Sequence, residues 1–156
     1  IARSKKDRTA EGKLFGIQID SLNDLICFGI LPAVIGFSLG MTSLLCKVVL
    51  SLFALAALIR LAYFNVLEEK RQQETTADRV SYLGLPVTSV SVVMPFFYLL
   101  AEYLSINMIT MLSIVLMALG VAFISPLKVR KLKLPGIILA GIVVIAEASL
   151  MIRIVF

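Results

Sequence analysis

The sequence predicts an all-α, polytopic membrane bundle of five spanning helices, forming one integral-membrane domain over residues 1–156. Three observations predict it. The 156 residues are 60% hydrophobic with a mean hydropathy of +1.00, far above the roughly 45–50% apolar usage of a soluble domain. Five stretches, 17–39, 44–67, 83–103, 108–125 and 135–155, approach or exceed the length of a spanning helix, about 20 mostly apolar residues, and leave no room for a separate soluble domain. Finally, the basic residues alternate between connections. Apart from Lys47, Arg60 and Arg153, all 15 Lys and Arg lie in segments 1–16, 68–82 and 126–134, whereas loops 40–43 and 104–107 carry none.

That alternation satisfies the positive-inside rule with the N-terminus in the cytoplasm and the C-terminus outside, in an inner or cytoplasmic membrane. The net charge of +5 then reads as orientation plus attraction to anionic lipid headgroups. A nucleic-acid partner would need basic residues interleaved with exposed aromatics on a soluble face, and the pattern offers none. The first 16 residues are polar and basic, so no secretory signal pattern precedes the spans. The absence of His removes the usual proton shuttle and the commonest transition-metal ligand. Cys27 and Cys46 have no metal-binding spacing and read as small buried hydrophobes.

The element boundaries follow from local signals. An uncharged run from Leu25 to Leu39 extends the string Gly16-Ile17-Gln18-Ile19-Asp20-Ser21-Leu22-Asn23-Asp24 into a helix over 16–39. Pro32 is expected to kink it near mid-membrane. Gly40 closes this helix, and Thr42 or Ser43 caps the next. Gly84-Leu85-Pro86 opens the third span, with Pro86 near the first turn, where its missing N–H costs little. Pro126 ends the fourth span and Pro135-Gly136 starts the fifth. Lys47 and Arg153 stand near outer ends, where long side chains snorkel to the interface. No internal repeat or low-complexity tract is visible.

Asp20 and Asp24 carry the chemistry. At i, i+4, i+8 spacing Gly16, Asp20 and Asp24 share one helix face, which brings the two acids within about 6 Å. Ionisable groups at a membrane edge are costly and usually mark a site, and two carboxylates that close repel unless a proton or divalent cation sits between them. On the expected topology Arg60, Asn65 and the Gly84-Leu85-Pro86 backbone converge on the same side. This set suits an anionic, metal-chelated phosphate group. A structural ion pair of Arg60 with Asp20 or Asp24 fits the spacing equally well. Asn65 reads either as a site residue or as an interfacial polar group at a helix end.

Two further classes stay open on residues alone. In a cation-conducting subunit, Asp20, Asp24 and Glu147 would line a path, which calls for acids spread through the membrane depth or broken helices in paired halves; here the acids crowd one face. In a purely structural subunit the acids would pair with Arg60. Glu102, near an outer end, and Glu147, at about mid-span in the last helix, have no place in the phosphate chemistry. Glu147 is expected to face protein or to be protonated.

Ala2-Arg3 followed by Gly16-x3-Asp20-x3-Asp24 resembles the second half of the CDP-alcohol phosphatidyltransferase motif, D-x2-D-G-x2-A-R-x8-G-x3-D-x3-D. The strings Asp20-Ser21-Leu22-Asn23-Asp24-Leu25-Ile26-Cys27-Phe28-Gly29, Arg60-Leu61-Ala62-Tyr63-Phe64-Asn65 and Gly84-Leu85-Pro86 are most similar to the phosphatidylserine synthase branch. The likeness covers about residues 1–130. Twelve residues separate Arg3 from Gly16, against eight in the family pattern, so a longer loop is expected there. The family places its first two aspartates and a glycine before Ala2-Arg3, and about two further helices upstream. The resemblance thus implies an N-terminally incomplete domain that is inactive alone.

The resemblance also implies a reaction, transfer of a phosphatidyl group from CDP-diacylglycerol to an alcohol with release of CMP. L-Serine is the favoured acceptor, with an inositol phosphate or glycerol phosphate as alternatives. It implies that Asp20 is a metal ligand, that Asp24 is both a metal ligand and the general base, and that Arg3, Gly16 and Asp20 bind CDP-diacylglycerol. Arg60 and Asn65 are the acceptor-binding candidates. Mg²⁺ or Mn²⁺ is the implied cofactor, since both prefer hard carboxylate oxygens. A homodimer in the lipid bilayer is the implied assembly.

Overall fold

The computed structural model describes residues 9–74, 81–126, 128–130 and 134–155. Arg3 lies outside them. Five helical rods are present, as the hydrophobic runs require. Helix α1 (Ala10–Leu25) begins well before residue 16, because Thr9 caps it by accepting the Gly12 N–H at 3.2 Å. A π-turn over Ile26–Ile30 then leads without a break into α2 (Leu31–Ser38). The irregularity expected at Pro32 takes this form. In a regular α-helix the proline ring collides with the carbonyl four residues back and leaves it without a donor. The wider turn, closed by the Leu31 N–H on the Ile26 carbonyl, lets the rod pass Pro32 without ending.

Gly40, at φ +106°, ends α2: its N–H bonds the Phe37 carbonyl at 3.1 Å, and the Met41 N–H bonds that of Gly36 at 3.1 Å. This paired closure needs a left-handed residue at the first position past the helix. Of the two expected caps for α3 (Leu44–Glu74), Ser43 is used, its Oγ accepting the Cys46 N–H at 3.2 Å. Helix α3 continues past residue 67 through Glu68-Glu69-Lys70-Arg71-Gln72-Gln73-Glu74, all good helix formers. The charged connection therefore starts as helix. Strand β1 (Ser81–Leu83) precedes a 3₁₀ turn at Val87–Ser89, which enters α4 (Val90–Tyr103). Helix α5 (Met108–Ile124), strand β2 (Lys128–Arg130) and α6 (Leu134–Val155) complete the described chain.

Among the described residues a two-stranded ribbon is added to the helical plan. β1 and β2 pair antiparallel, with Ser81 opposite Arg130 and Leu83 opposite Lys128. Two of the three basic connections thus meet at one end of the bundle, as their alternation in sequence requires.

Helix α3 is central and packs on α1, the π-turn, α2 and α5. Its inward face repeats every three to four residues through Cys46, Val49, Leu50, Phe53, Ala57 and Leu61, matched on α5 by Leu112, Val115, Leu116, Leu119 and Phe123. Small residues draw the rods together: a Cβ on Gly120 would stand 3.6 Å from Ala56 Cβ, and one on Gly29 only 3.1 Å from Ala57 Cβ. Close approach of this kind is how helices associate in lipid, where burial of apolar surface gives no net drive. The outer surface is apolar as well, with Leu44, Leu45 and Ile145 among many exposed aliphatic side chains. Leu14–Ser38 and Leu44–Lys70 are long and apolar enough to cross a membrane, and Val87–Tyr103 and Met108–Ile124 are shorter apolar helices, near the lower end of the roughly 17–25 residues a crossing takes.

Candidate functional site

The site is organised around the Gly84 turn. Gly84 is buried at φ +78°, and a Cβ there would lie 2.8 Å from the Phe123 carbonyl oxygen, 3.0 Å from Arg60 Nε and 3.2 Å from the Ser125 carbonyl oxygen. Only glycine fits that space and that backbone angle. The turn is stitched to α5 by the Leu85 N–H, which bonds the Ala122 carbonyl at 3.3 Å. Ala122 lies in the last turn of α5, where carbonyls lack intrahelical donors.

From the other side Arg60 reaches into the turn. It is buried, with 7% of its surface exposed, and donates from Nε to the Leu85 carbonyl at 3.3 Å and from Nη2 to the Gly84 carbonyl at 3.5 Å. Its guanidinium also stands 5.6 Å from the Phe64 ring centre, within cation–π range. Arg60 thereby joins α3 to the start of the third span.

A cavity of about 230 Å³ opens beside this joint, lined by Asp24, Arg60, Leu61, Phe64, Pro86, Val87 and Thr88. The convergence expected from sequence is therefore present for Asp24, Arg60 and the Gly84-Leu85-Pro86 backbone. Asp20 lies one turn earlier on α1 and is exposed, while Asp24 is partly buried at the cavity. Gly16 shares their face, and a Cβ on it would meet nothing within 4 Å. Asn65 is not among the cavity walls. Its Oδ1 instead accepts the Ser21 hydroxyl at 2.8 Å, linking α3 to α1.

The donor chemistry partly fits a divalent cation. Two carboxylates one helical turn apart supply hard oxygens of the type Mg²⁺ and Mn²⁺ take. Among the described residues no group of three or more acids, His or Cys stands ready to hold a metal, so Asp20 and Asp24 account for part of a coordination shell. Sequence reasoning missed Thr88, whose signal is its place two residues past Pro86 at the head of a helix, and Ser21, which is adjacent to Asp20. The two remaining acids stand apart. Glu102 is exposed, and Glu147 is buried on α6 with both carboxylate oxygens lacking a hydrogen-bond partner among the described residues.

Comparison with known proteins decides what this arrangement belongs to. The model of the CDP-alcohol phosphatidyltransferase family matches residues 1–125. The chain belongs to that family. Similar proteins include the CDP-diacylglycerol–serine O-phosphatidyltransferase of Saccharomyces cerevisiae, 37% identical over 87 residues that make up 54% of this chain and 32% of the relative. The enzyme of the same name from Helicobacter pylori is 35% identical over 83 residues, 50% of this chain and 31% of that protein. An archaetidylserine synthase from Methanothermobacter thermautotrophicus is 29% identical over 115 residues, 73% of this chain and 44% of its own. The chain thus spans about a third of the length of the first two relatives. As a member of the CDP-alcohol phosphatidyltransferase family with apolar rods and an apolar outer surface, it is an integral-membrane protein.

Proposed function

We propose that this chain supplies the acceptor side of an enzyme that transfers a phosphatidyl group from CDP-diacylglycerol to the hydroxyl of L-serine, giving phosphatidylserine and CMP. The observation that carries the reading is the joint placement of Asp24, Arg60 and Thr88 around one cavity, with Asp20 one turn away. The names of the yeast and Helicobacter relatives support serine.

In this reading the acceptor hydroxyl lies in the cavity and gives its proton to the Asp24 carboxylate as its oxygen attacks the phosphatidyl phosphorus. The bond from phosphorus to the CMP oxygen breaks, and CMP leaves with that electron pair. A carboxylate is a weak base for an alcohol, so Asp24 acts through position. Asp20 and Asp24 would hold Mg²⁺ or Mn²⁺, with further donors from outside the described residues; such a cation neutralises charge on the diphosphate when bound. Gly16 leaves room for the nucleotide beside the acids, and the family motif assigns Arg3 to the diphosphate, since a guanidinium matches phosphate geometry. Arg60 forms the cationic wall of the cavity opposite the acceptor carboxylate. The site faces the cytoplasm, the N-terminus is inside and the C-terminus outside, and the enzyme is a homodimer.

The test uses the full-length enzyme. Asp24→Asn keeps the size of the side chain and removes the proton acceptor. CMP release should fall by at least about 10²-fold, the lower range for losing a general base, while CDP-diacylglycerol still binds. Asp20→Asn should weaken metal-dependent nucleotide binding along with turnover, and chelator should abolish activity until Mg²⁺ or Mn²⁺ is restored. A folded Asp24→Asn enzyme that releases CMP at the parent rate removes Asp24 as the base.

A further inference from the structure

The Ser21–Asn65 hydrogen bond joins the helix that carries Asp24 to the helix that carries Arg60. Ser21 lies three residues before Asp24 on α1, and Asn65 five residues after Arg60 on α3; their side chains meet at 2.8 Å in a partly buried setting. Hydrogen bonds between membrane helices add little stability on average, so the value of this one lies in geometry.

The π-turn sets the frame for this pin. It places an extra residue in the helical repeat, so the face that α1 turns towards α3 is offset from the face that buries Pro32 and Gly36 in α2. Two contacts with α3 bracket Asp24 on its own side of that offset. On one side Gly29 presses so closely that an added Cβ would stand 3.1 Å from Ala57 Cβ. On the other, Ser21 is tied to Asn65.

We propose that Ser21 and Asn65 form a positioning pair that fixes the rotation of α1 and thereby aims the Asp24 carboxylate into the acceptor cavity. The proposal rests on the reading of Asp24 as the base. It also gives Asn65 a role away from the acceptor, in keeping with its absence from the cavity walls.

The experiment compares Ser21→Ala, Asn65→Leu, the double variant and Ser21→Thr in the full-length enzyme, measuring kcat and acceptor KM from CMP release, CDP-diacylglycerol affinity, and melting temperature. Each single variant should lower kcat by about 10–100-fold, the scale of an ångström-level misplacement at a reacting centre, with acceptor KM and nucleotide affinity little changed. The double variant should be no slower than the singles, because both remove one bond. Ser21→Thr keeps the hydroxyl and should restore most of the rate. The proposal is overturned if Asn65→Leu raises acceptor KM while Ser21→Ala turns over normally, which would make Asn65 an acceptor contact. It is equally overturned if the losses multiply in the double variant, or if they follow only the fraction of folded protein. Asp24→Asn is assayed alongside: an active Asp24→Asn enzyme removes the base reading itself, whatever the Ser21 and Asn65 variants do, so the two failures separate.

Discussion

Replacing Gly84 by Ala tests the joint on which the cavity depends. The new Cβ would sit 2.8 Å from the Phe123 carbonyl oxygen and 3.2 Å from that of Ser125, both backbone atoms, at φ +78°. The left-handed angle alone costs an L-residue about 1–2 kcal/mol. Relief of the overlap requires the turn to retreat from α5, which breaks the 3.3 Å bond from the Leu85 N–H to the Ala122 carbonyl, a loss of about 1 kcal/mol. The same retreat pulls the Gly84 and Leu85 carbonyls off Arg60, and a hydrogen bond to a charged group contributes about 1.5–3 kcal/mol. With partial relaxation the expected destabilisation is about 3–5 kcal/mol. For a chain of this size that lowers the melting temperature of the detergent-solubilised protein by about 6–20 °C. Gly141→Ala is the control: a Cβ on Gly141 meets nothing within 4 Å, and alanine inside a helix is favoured over glycine by up to about 1 kcal/mol. A Gly84→Ala protein that melts with the Gly141→Ala control would refute the account of the turn.

Gly16→Ala should leave the melting temperature unchanged or slightly raised, since nothing in the fold lies within 4 Å of the added methyl, yet weaken CDP-diacylglycerol binding if the nucleotide lies against that face; unchanged affinity, read by titration, counts against that placement. Thr88→Val removes the only side-chain hydroxyl among the described residues that line the cavity, and acceptor KM should rise by about 10-fold, the effect of one lost hydrogen bond of roughly 1–1.5 kcal/mol, with CDP-diacylglycerol affinity intact. For orientation, a membrane-impermeant maleimide applied to intact cells should label Ile106→Cys and spare Lys70→Cys, both exposed positions, in a background without Cys27 and Cys46. Labelling with the opposite pattern would invert the topology and move the acids to the other side.

The five rods were legible because uncharged runs of spanning length have few other uses. Their ends were legible where chemistry forces them, at Gly40, Ser43, Pro86 and Pro126. The extension of α3 to Glu74 was missed because a polar, charged stretch reads as loop to any hydrophobicity argument, although its residues are strong helix formers. The β1–β2 ribbon was invisible for a different reason: strands of three residues carry too little alternation to register. Pro32 announced an irregularity without saying which kind. At the site, alternating charge was enough to bring Asp24, Arg60 and the Gly84 turn together. The Ser21–Asn65 contact was beyond reach, because it depends on the rotation of two helices about their axes relative to one another, which the spacing within each helix does not give.

The far wall of the cavity is held by parts of the chain made well after its acid and its arginine. Asp24 and Arg60 precede the Gly84 turn, but that turn is fastened by the Ala122 carbonyl and hemmed in by those of Phe123 and Ser125, while β1 waits for β2. At about 5–20 residues per second of synthesis, the roughly 46 residues from Gly84 to Arg130 take on the order of 2–9 s. Through most of that interval Asp24 and Arg60 are already made, but the turn at Gly84 has nothing to fasten it. The cavity is therefore walled late, and a chain cut short before Ala122 should leave the Gly84 turn without its fastening.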